Sequence, residues 1–214
     1  MSLSEYRRKR HFGNTPEPPG SEDSTQRHGR GLIYVIQKHR ASQLHYDLRL
    51  EWNGVLLSWA VPKGPSLDPA VKRLATQVED HPAAYASFEG VIPENEYGGG
   101  TVMVWDKGTR VPEVEDVAAA LQKGDLKFTL RGKKLKGSWV LVRTRGFGRN
   151  PTRPSWLLIK HRDRYASSEA VTETEPYSAA SHRLLADIAR DEGGDVERAA
   201  TGDPAVRKRK PRRS

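Results

Sequence analysis

Gln43-Leu44-His45-Tyr46-Asp47-Leu48-Arg49-Leu50-Glu51-Trp52, then Asn53-Gly54, then Val55-Leu56-Leu57-Ser58-Trp59-Ala60-Val61, is the stretch that decides how this chain folds. Asn-Gly between two alternating runs predicts a hairpin, because a type I′ turn needs positive φ at both central residues. Side chains alternate along a strand, so His45, Asp47, Arg49 and Glu51 share one face. Leu44, Tyr46, Leu48, Leu50 and Trp52 share the other. The first strand therefore offers one face to a core and keeps the other for chemistry.

The polar face combines a metal-type set with a phosphate-type residue. His39, His45 and Asp47 would give a divalent cation two imidazole nitrogens and one carboxylate oxygen, with coordination positions left for water and substrate. Arg49 cannot ligate a metal but pairs bidentately with phosphate. Alternation by itself also describes a half-buried strand whose polar face meets water. Two His and an Asp within nine residues are an uneconomical way to fill such a face.

Outward from the hairpin, further strands are expected over residues 32–37, 73–79, 101–105, 125–131, 137–144 and 155–161. Val114, Val117, Ala118 and Leu121 recur at helical spacing, with Pro112 near the start and Gly124 just past the end. Trp52, Trp59, Trp105, Trp139 and Trp156 fall in strand patterns and read as core. The expected class is mainly β: a single-domain β-barrel with a flanking helix, whose polar mouth holds the His/Asp/Arg face. Residues 1–31, with Thr15-Pro16-Glu17-Pro18-Pro19-Gly20, form an extended leader contributing to the domain, and 32–165 form the barrel. Residues 166–206 hold nine acids against three bases, with a weak helical stretch around Ser181 to Arg190, so 166–214 reads as a flexible spacer and a disordered basic tail.

Composition narrows the function. A chain of 214 residues buries one good core. It contains no Cys, so disulfides, thiolate zinc sites and cysteine nucleophiles are excluded and any metal rests on His, Asp and Glu. No segment approaches the roughly 20 apolar residues of a membrane span, and the first 30 residues are too polar for a signal peptide, so a cytoplasmic protein without a membrane partner is expected. Net charge is +9, but Arg207-Lys208-Arg209-Lys210-Pro211-Arg212-Arg213 supplies six of those charges. That run reads either as a solvated tail or as a salt-sensitive arm for nucleic acid.

Other residues are candidates to complete the site. His81, in Glu79-Asp80-His81-Pro82, could protonate a leaving oxygen or bind a phosphoryl oxygen, and Tyr85 could donate to it. Val61-Pro62-Lys63-Gly64-Pro65 sets Lys63 in a rigid turn, where a phosphate contact and an ordinary exposed lysine fit equally well. Gly98-Gly99-Gly100 reads as a flexible turn or as a close approach of backbone to a ligand.

The run Gln37 to Ser42, His45-Tyr46-Asp47-Leu48-Arg49-Leu50 and Ser58-Trp59-Ala60-Val61-Pro62-Lys63-Gly64-Pro65-Ser66 resembles the 3′-phosphoesterase domain of bacterial DNA ligase D. So do Val78 to Pro82, Phe88 to Pro93, Tyr97-Gly98, Gly100-Thr101-Val102, Leu135-Lys136-Gly137 and Trp156 to Lys160, and the likeness runs in order from about residue 6 to 165. The resemblance implies a manganese-dependent enzyme (other divalent transition metals are conceivable) that removes a 3′-terminal ribonucleoside and then the 3′-phosphate, leaving 3′-hydroxyl ends for end joining. It implies His39, His45 and Asp47 as metal ligands, Arg49 and His81 on the scissile phosphate, Tyr85 as a further catalytic position, and Gln37, Lys63, Arg73 and Glu79 as supporting ones. In the leader Arg10 and Glu17 match family positions, while His11 stands where the family carries an acid. The expected partners are DNA 3′ ends on a primer-template, ending in a ribonucleotide or a phosphate, in a nucleoid-associated setting. A chain of this length leaves no room for polymerase or ligase modules, so a free-standing version working with a separate ligase or polymerase in trans is expected. Two other readings stand beside it: a DNA-end binding module without catalysis, and a His-x-Asp iron oxygenase with His161 as its distant ligand.

Overall fold

The computed structural model describes residues 3–20, 31–144 and 154–205. Asn53 and Gly54 adopt φ of 47° and 78°, both positive as the type I′ turn requires. β2 (Leu44–Trp52) therefore returns as β3 (Val55–Val61), with Trp52 opposite Val55 and Arg49 opposite Ser58. β1 (Ile33–Arg40) pairs with the other side of β2, which sets His39 directly across from His45 and Gln37 across from Asp47. β4 (Arg73–Pro82), β5 (Gly90–Ile92), β6 (Gly100–Pro112), β7 (Asp125–Gly132), β8 (Lys136–Arg143) and β9 (Ser155–Lys160) complete the sheet. Its order is β1-β2-β3-β4-β9-β8-β7-β6, and β6 pairs back onto β1, so eight antiparallel strands close into a barrel with β5 added at β6. Closure removes every strand edge within the ring.

Among the described residues five short helices decorate the barrel: α1 (Ser4–Arg8), α2 (Val117–Lys123), α3 (Val171–Thr174), α4 (Leu185–Asp191) and α5 (Val196–Ala200). The helix expected to begin near Pro112 starts later. β6 runs thirteen residues and ends on Pro112, and α2 opens where the Asp116 side chain accepts a hydrogen bond from the Ala119 N–H at 3.0 Å. β5, one residue triplet long, had no expected counterpart.

The barrel interior takes the apolar faces. Tyr46, Leu48 and Leu50 of β2 join Trp59, Trp105, Trp139 and Trp156 in the main core, while Trp52 packs against it only partly buried. Trp59 meets Trp156 edge to face at 5.9 Å, and Tyr46 meets Trp105 likewise at 5.4 Å. The polar face of β2 consequently points out of the barrel wall and not into its mouth, correcting the sequence expectation: the interior is already filled by the same strands' apolar residues. It is nonetheless buried. The leader and a 3₁₀ turn, Ala83–Ser87, roof it through a second small cluster of Tyr6, Leu56 and Tyr85, flanked by Phe12, Ile33 and Phe88.

The C-terminal segment also departs from its reading. Residues 166–205 were expected as a mobile spacer, yet Val171, Leu185, Ile188, Ala189 and Ala199 are buried in the main core. Ser178 donates to the Glu89 carboxylate at 2.5 Å and Arg183 bridges to it at 3.4 Å. Most of the acids that make this segment look unstructured are exposed on or beside very short helices, Asp203 instead accepting from the Leu185 and Ala186 N–H groups, and a stripe of three or four apolar residues is too brief to stand out in composition. The basic run 207–213 lies outside the described residues.

Candidate active site

The metal-type group is local. Because β1 and β2 are adjacent and His39 faces His45, three ligand atoms from His39, His45 and Asp47 converge within 4.8 Å of one another. Asp47 Oδ2 lies 3.6 Å from His45 Nε2 and 3.9 Å from His39 Nδ1. His45 Nδ1 donates to the Gln43 carbonyl at 3.1 Å, which fixes the tautomer and leaves Nε2 with its lone pair toward Asp47. His39 Nε2 is buried without a hydrogen-bond partner. A divalent cation would satisfy that donor set, and among the described residues this is the one His/Asp/Glu group so arranged.

Electrostatics favour cation binding here. Burial, then the neighbouring His45, push the His39 imidazole down to about 3, so it is neutral and able to ligate. Burial by itself would raise the Asp47 carboxyl, but Arg49, His45 and His39 outweigh it and hold the group ionised far below the usual carboxylate range. The same carboxylate, against the opposing effect of burial, raises His45.

The neighbouring group centres on Arg49, 4% exposed. Its guanidinium donates to Gln37 Oε1 at 2.7 Å, Ser58 Oγ at 2.9 Å and Asp47 Oδ2 at 3.1 Å, and approaches His81 Nδ1 at 2.9 Å. Gln37 is itself oriented by donating to the carbonyls of Tyr85 and Phe88 at 3.1 and 2.8 Å. His81 reaches this face through a one-residue irregularity: Leu56 pairs with His81 but Ser58 pairs with Val78. Strict alternation from Val78 would have turned His81 to the opposite face, and the extra residue in β4 turns it back.

The leader supplies the rest. Arg10 donates to Glu17 Oε1 at 2.8 Å, lies 3.5 Å from Glu79 and brings its NH2 to 3.3 Å from His81 Nε2. Tyr85 OH donates to the same Glu17 oxygen at 2.9 Å. His81 thus stands between two guanidinium groups. Burial, then Arg49 and Arg10, hold its pKa well below the usual imidazole value, so the ring is neutral. Burial, then Glu17, raise the Tyr85 phenol and keep it protonated. Arg10, His39, His45, Asp47, Arg49, Glu79, His81 and Tyr85 line a cavity of about 470 Å³, with Gln37, Ser58 and Glu17 behind its wall.

Of the expected site residues, the fold brings together Gln37, His39, His45, Asp47, Arg49, Glu79, His81, Tyr85, Arg10 and Glu17 around this cavity or directly behind its wall. It does not bring Lys63 or Arg73. Lys63 is exposed on a separate cavity with Lys38 and Asp203, and Arg73 lies on the face of β4 shared with Ala75, which is buried in the barrel. His11 is a surface residue 3.1 Å from Glu96. His161 bonds Ser138 Oγ at 2.7 Å and takes no part in the His39/His45/Asp47 group, which removes the distant ligand of the oxygenase reading. Ser58, fully buried against Arg49, was not foreseen. Its signal was available, since a two-residue Asn-Gly turn alone fixes Ser58 opposite Arg49.

Comparison with known proteins gives the family. Residues 37–143 match the family described as the DNA ligase D 3′-phosphoesterase domain. The chain is 52% identical over 190 residues to a multifunctional non-homologous end joining protein LigD of Pseudomonas aeruginosa, covering 86% of this chain and 22% of that one. It is 45% identical over 145 residues to a LigD described as a multifunctional non-homologous end joining DNA repair protein in Mycobacterium tuberculosis, covering 67% of this chain and 18% of that one. For the LigD of Mycolicibacterium smegmatis the values are 41% over 167 residues, 75% and 21%. The chain spans about a fifth of the length of these curated relatives.

Proposed function

The chain belongs to the DNA ligase D 3′-phosphoesterase domain family, and from that premise we propose that it is a metal-dependent hydrolase that heals DNA 3′ ends for non-homologous end joining. It removes a terminal 3′ ribonucleoside by phosphodiester cleavage and then the remaining 3′-phosphate, using Mn²⁺ or a similar divalent metal. The observation that carries this reading is Arg49, whose guanidinium touches Asp47 of the metal-type group on one side and His81 on the other. A phosphoryl group seated there meets every group that its hydrolysis needs.

A divalent metal held by His39, His45 and Asp47 would supply positive charge against the phosphoryl oxygens. Arg49 neutralises charge that builds on the equatorial oxygens as water attacks phosphorus, and its four contacts fix the fork before substrate arrives. His81, neutral and flanked by two cations, hydrogen-bonds a phosphoryl oxygen and exchanges a proton with the leaving or attacking oxygen. Arg10 adds a second positive group on the far side of that ring, and Glu17 and Tyr85 hold it in place. Lys63, exposed outside the cavity, acts as a secondary contact to the DNA strand, while Arg73, on the barrel-facing side of β4, supports the site from behind. DNA is the partner, and the basic run 207–213 adds salt-dependent affinity for it.

The test is a duplex whose primer ends in one 3′ ribonucleotide, incubated with and without Mn²⁺ beside Asp47→Ala. Stepwise 3′-phosphate and then 3′-hydroxyl ends, lost in the variant and without metal, support the proposal. Bound but uncleaved DNA in the wild type would replace it with an end-binding module.

A further inference from the structure

Phosphate chemistry accounts for the charged lining of the cavity and leaves the nucleoside without a seat. The polar groups named above come from β1, β2, β4, the 3₁₀ turn and the leader; the rest of the lining includes Leu44, Pro62, Ile92 and the turn bearing Tyr97 and Gly98. Two tyrosines line the cavity. Tyr85 is 2% exposed and its hydroxyl is committed to Glu17, so it presents no open ring. Tyr97 is 42% exposed, one of few large hydrophobic side chains so placed among the described residues and the one that borders this cavity.

The turn that carries it is tightly built. Glu96 N–H bonds the Pro93 carbonyl and Gly99 N–H bonds the Glu96 carbonyl, each at 3.0 Å. Gly98 has φ of 81°, a conformation that strains other residues, and its Cα faces the His39 ring. The leader packs against the tyrosine ring: Lys9 Nζ is 4.8 Å from its centroid and the Arg10 guanidinium is 5.7 Å away. The ring is therefore positioned by a fixed turn and two cations at the edge of the cavity, with the residue 42% exposed.

We propose that Tyr97 is the platform on which the terminal nucleobase of the substrate strand stacks, making it a substrate-positioning residue of this site. The proposal rests on the end-healing reading for the substrate class. A flat aromatic face accepts any of the bases, so it orients the last nucleotide without reading its identity. Lys9 and Arg10, within cation–π reach of the ring, hold it in place as the base docks.

Steady-state kinetics on two duplexes test it, one with a normal 3′-terminal nucleotide and one with an abasic terminal sugar, both ending in 3′-phosphate. Tyr97→Ala should raise KM on the normal end by roughly 5- to 150-fold with little change in kcat, as loss of one base–aromatic stack requires. Tyr97→Phe should restore it, and on the abasic end wild type and Tyr97→Ala should be alike. An equal loss on both ends would overturn the proposal and leave the ring as a prop for Lys9 and Arg10. A second measurement does not depend on turnover: calorimetric binding of deoxyadenosine 3′-phosphate and of the baseless deoxyribose 3-phosphate without divalent metal. Wild type should favour the nucleotide at least fivefold and Tyr97→Ala should lose that preference; a preference unchanged by the substitution, or absent in the wild type, sinks the idea whether or not the enzyme heals ends.

Discussion

The two halves of the site are built in opposite ways. His39, His45 and Asp47 come from one turn's worth of neighbouring strand, with two of them directly opposed across the β1–β2 ladder. Arg49, Ser58, His81, Tyr85, Arg10 and Glu17 come from β2, β3, β4, a 3₁₀ turn and the leader, and meet because an irregularity in β4 turns His81 toward Arg49 and the leader lies across this face. The metal half should therefore be robust to distant change and destroyed by change within it. The phosphate half should lose function by degrees, one support at a time.

The largest expected effect lies in the metal half. Asp47→Asn keeps the shape and removes the charge that neutralises the cation. Outer-sphere partners of metal ligands are worth 10- to 100-fold in affinity, so loss of a ligating charge should weaken Mn²⁺ binding by more than about 100-fold, and metal-supported turnover with it. Calorimetric titration checks this, and wild-type affinity in the variant would break the assignment. Next is Arg49→Lys. An ammonium retains the charge but cannot reach Gln37, Ser58, Asp47 and His81 together, so turnover should fall about 10²- to 10³-fold. Metal affinity should move much less than in Asp47→Asn; if the two variants lose metal equally, the halves are not separable.

The same division explains what the sequence could say. The hairpin, its register and the metal group were legible because each depends on residues a few positions apart: Asn53-Gly54 sets the turn, and period-two alternation sets the face. Pattern also placed the tryptophans in the core. Alternation gave the apolar face of β2 to the core but could not tell what covers the polar face, which is also buried, and so the site was expected at the mouth. His81 depends on an added residue in β4, for which Glu79-Asp80-His81-Pro82 carries no periodic signal. Arg10 and Glu17 entered through family likeness alone; their segment has too little periodicity to predict that Tyr6 and Phe12 would dock it over Leu56 and Tyr85. The C-terminal helices were hidden by the mostly exposed acids on and beside them.

The leader gives the intermediate test. Glu17 is 2% exposed and neutralises Arg10 while accepting from Tyr85. Glu17→Gln leaves a buried guanidinium with Glu79 at 3.5 Å as its remaining acid. Hydrogen bonds to charged groups are worth about 1.5–3 kcal/mol, so kcat/KM should fall roughly 10- to 100-fold while Mn²⁺ affinity stays at the wild-type value. Full activity in Glu17→Gln would mean the leader covers the site without serving it.

Ser58→Ala is the smallest and the sharpest of the set, because it removes one support from Arg49 and touches nothing in the metal half. Ser58 Oγ accepts from Arg49 at 2.9 Å and donates to the Leu56 carbonyl at 3.0 Å, so the hydroxyl relays the fixed strand backbone to the guanidinium. Its removal leaves Arg49 still held by Gln37 and Asp47. A single hydrogen bond of this kind is worth about 0.5–1.5 kcal/mol, which predicts a loss of roughly 2- to 10-fold in kcat. Combining it with Arg49→Lys should add little, since the relay has no guanidinium left to position, whereas combining it with Asp47→Asn should leave the metal titration of the single variant unchanged. A multiplicative loss with Arg49→Lys would mean that Ser58 acts on the phosphate, or through its longer 3.4 Å contact with His81 Nδ1, and the phosphate half would then have a second centre independent of Arg49.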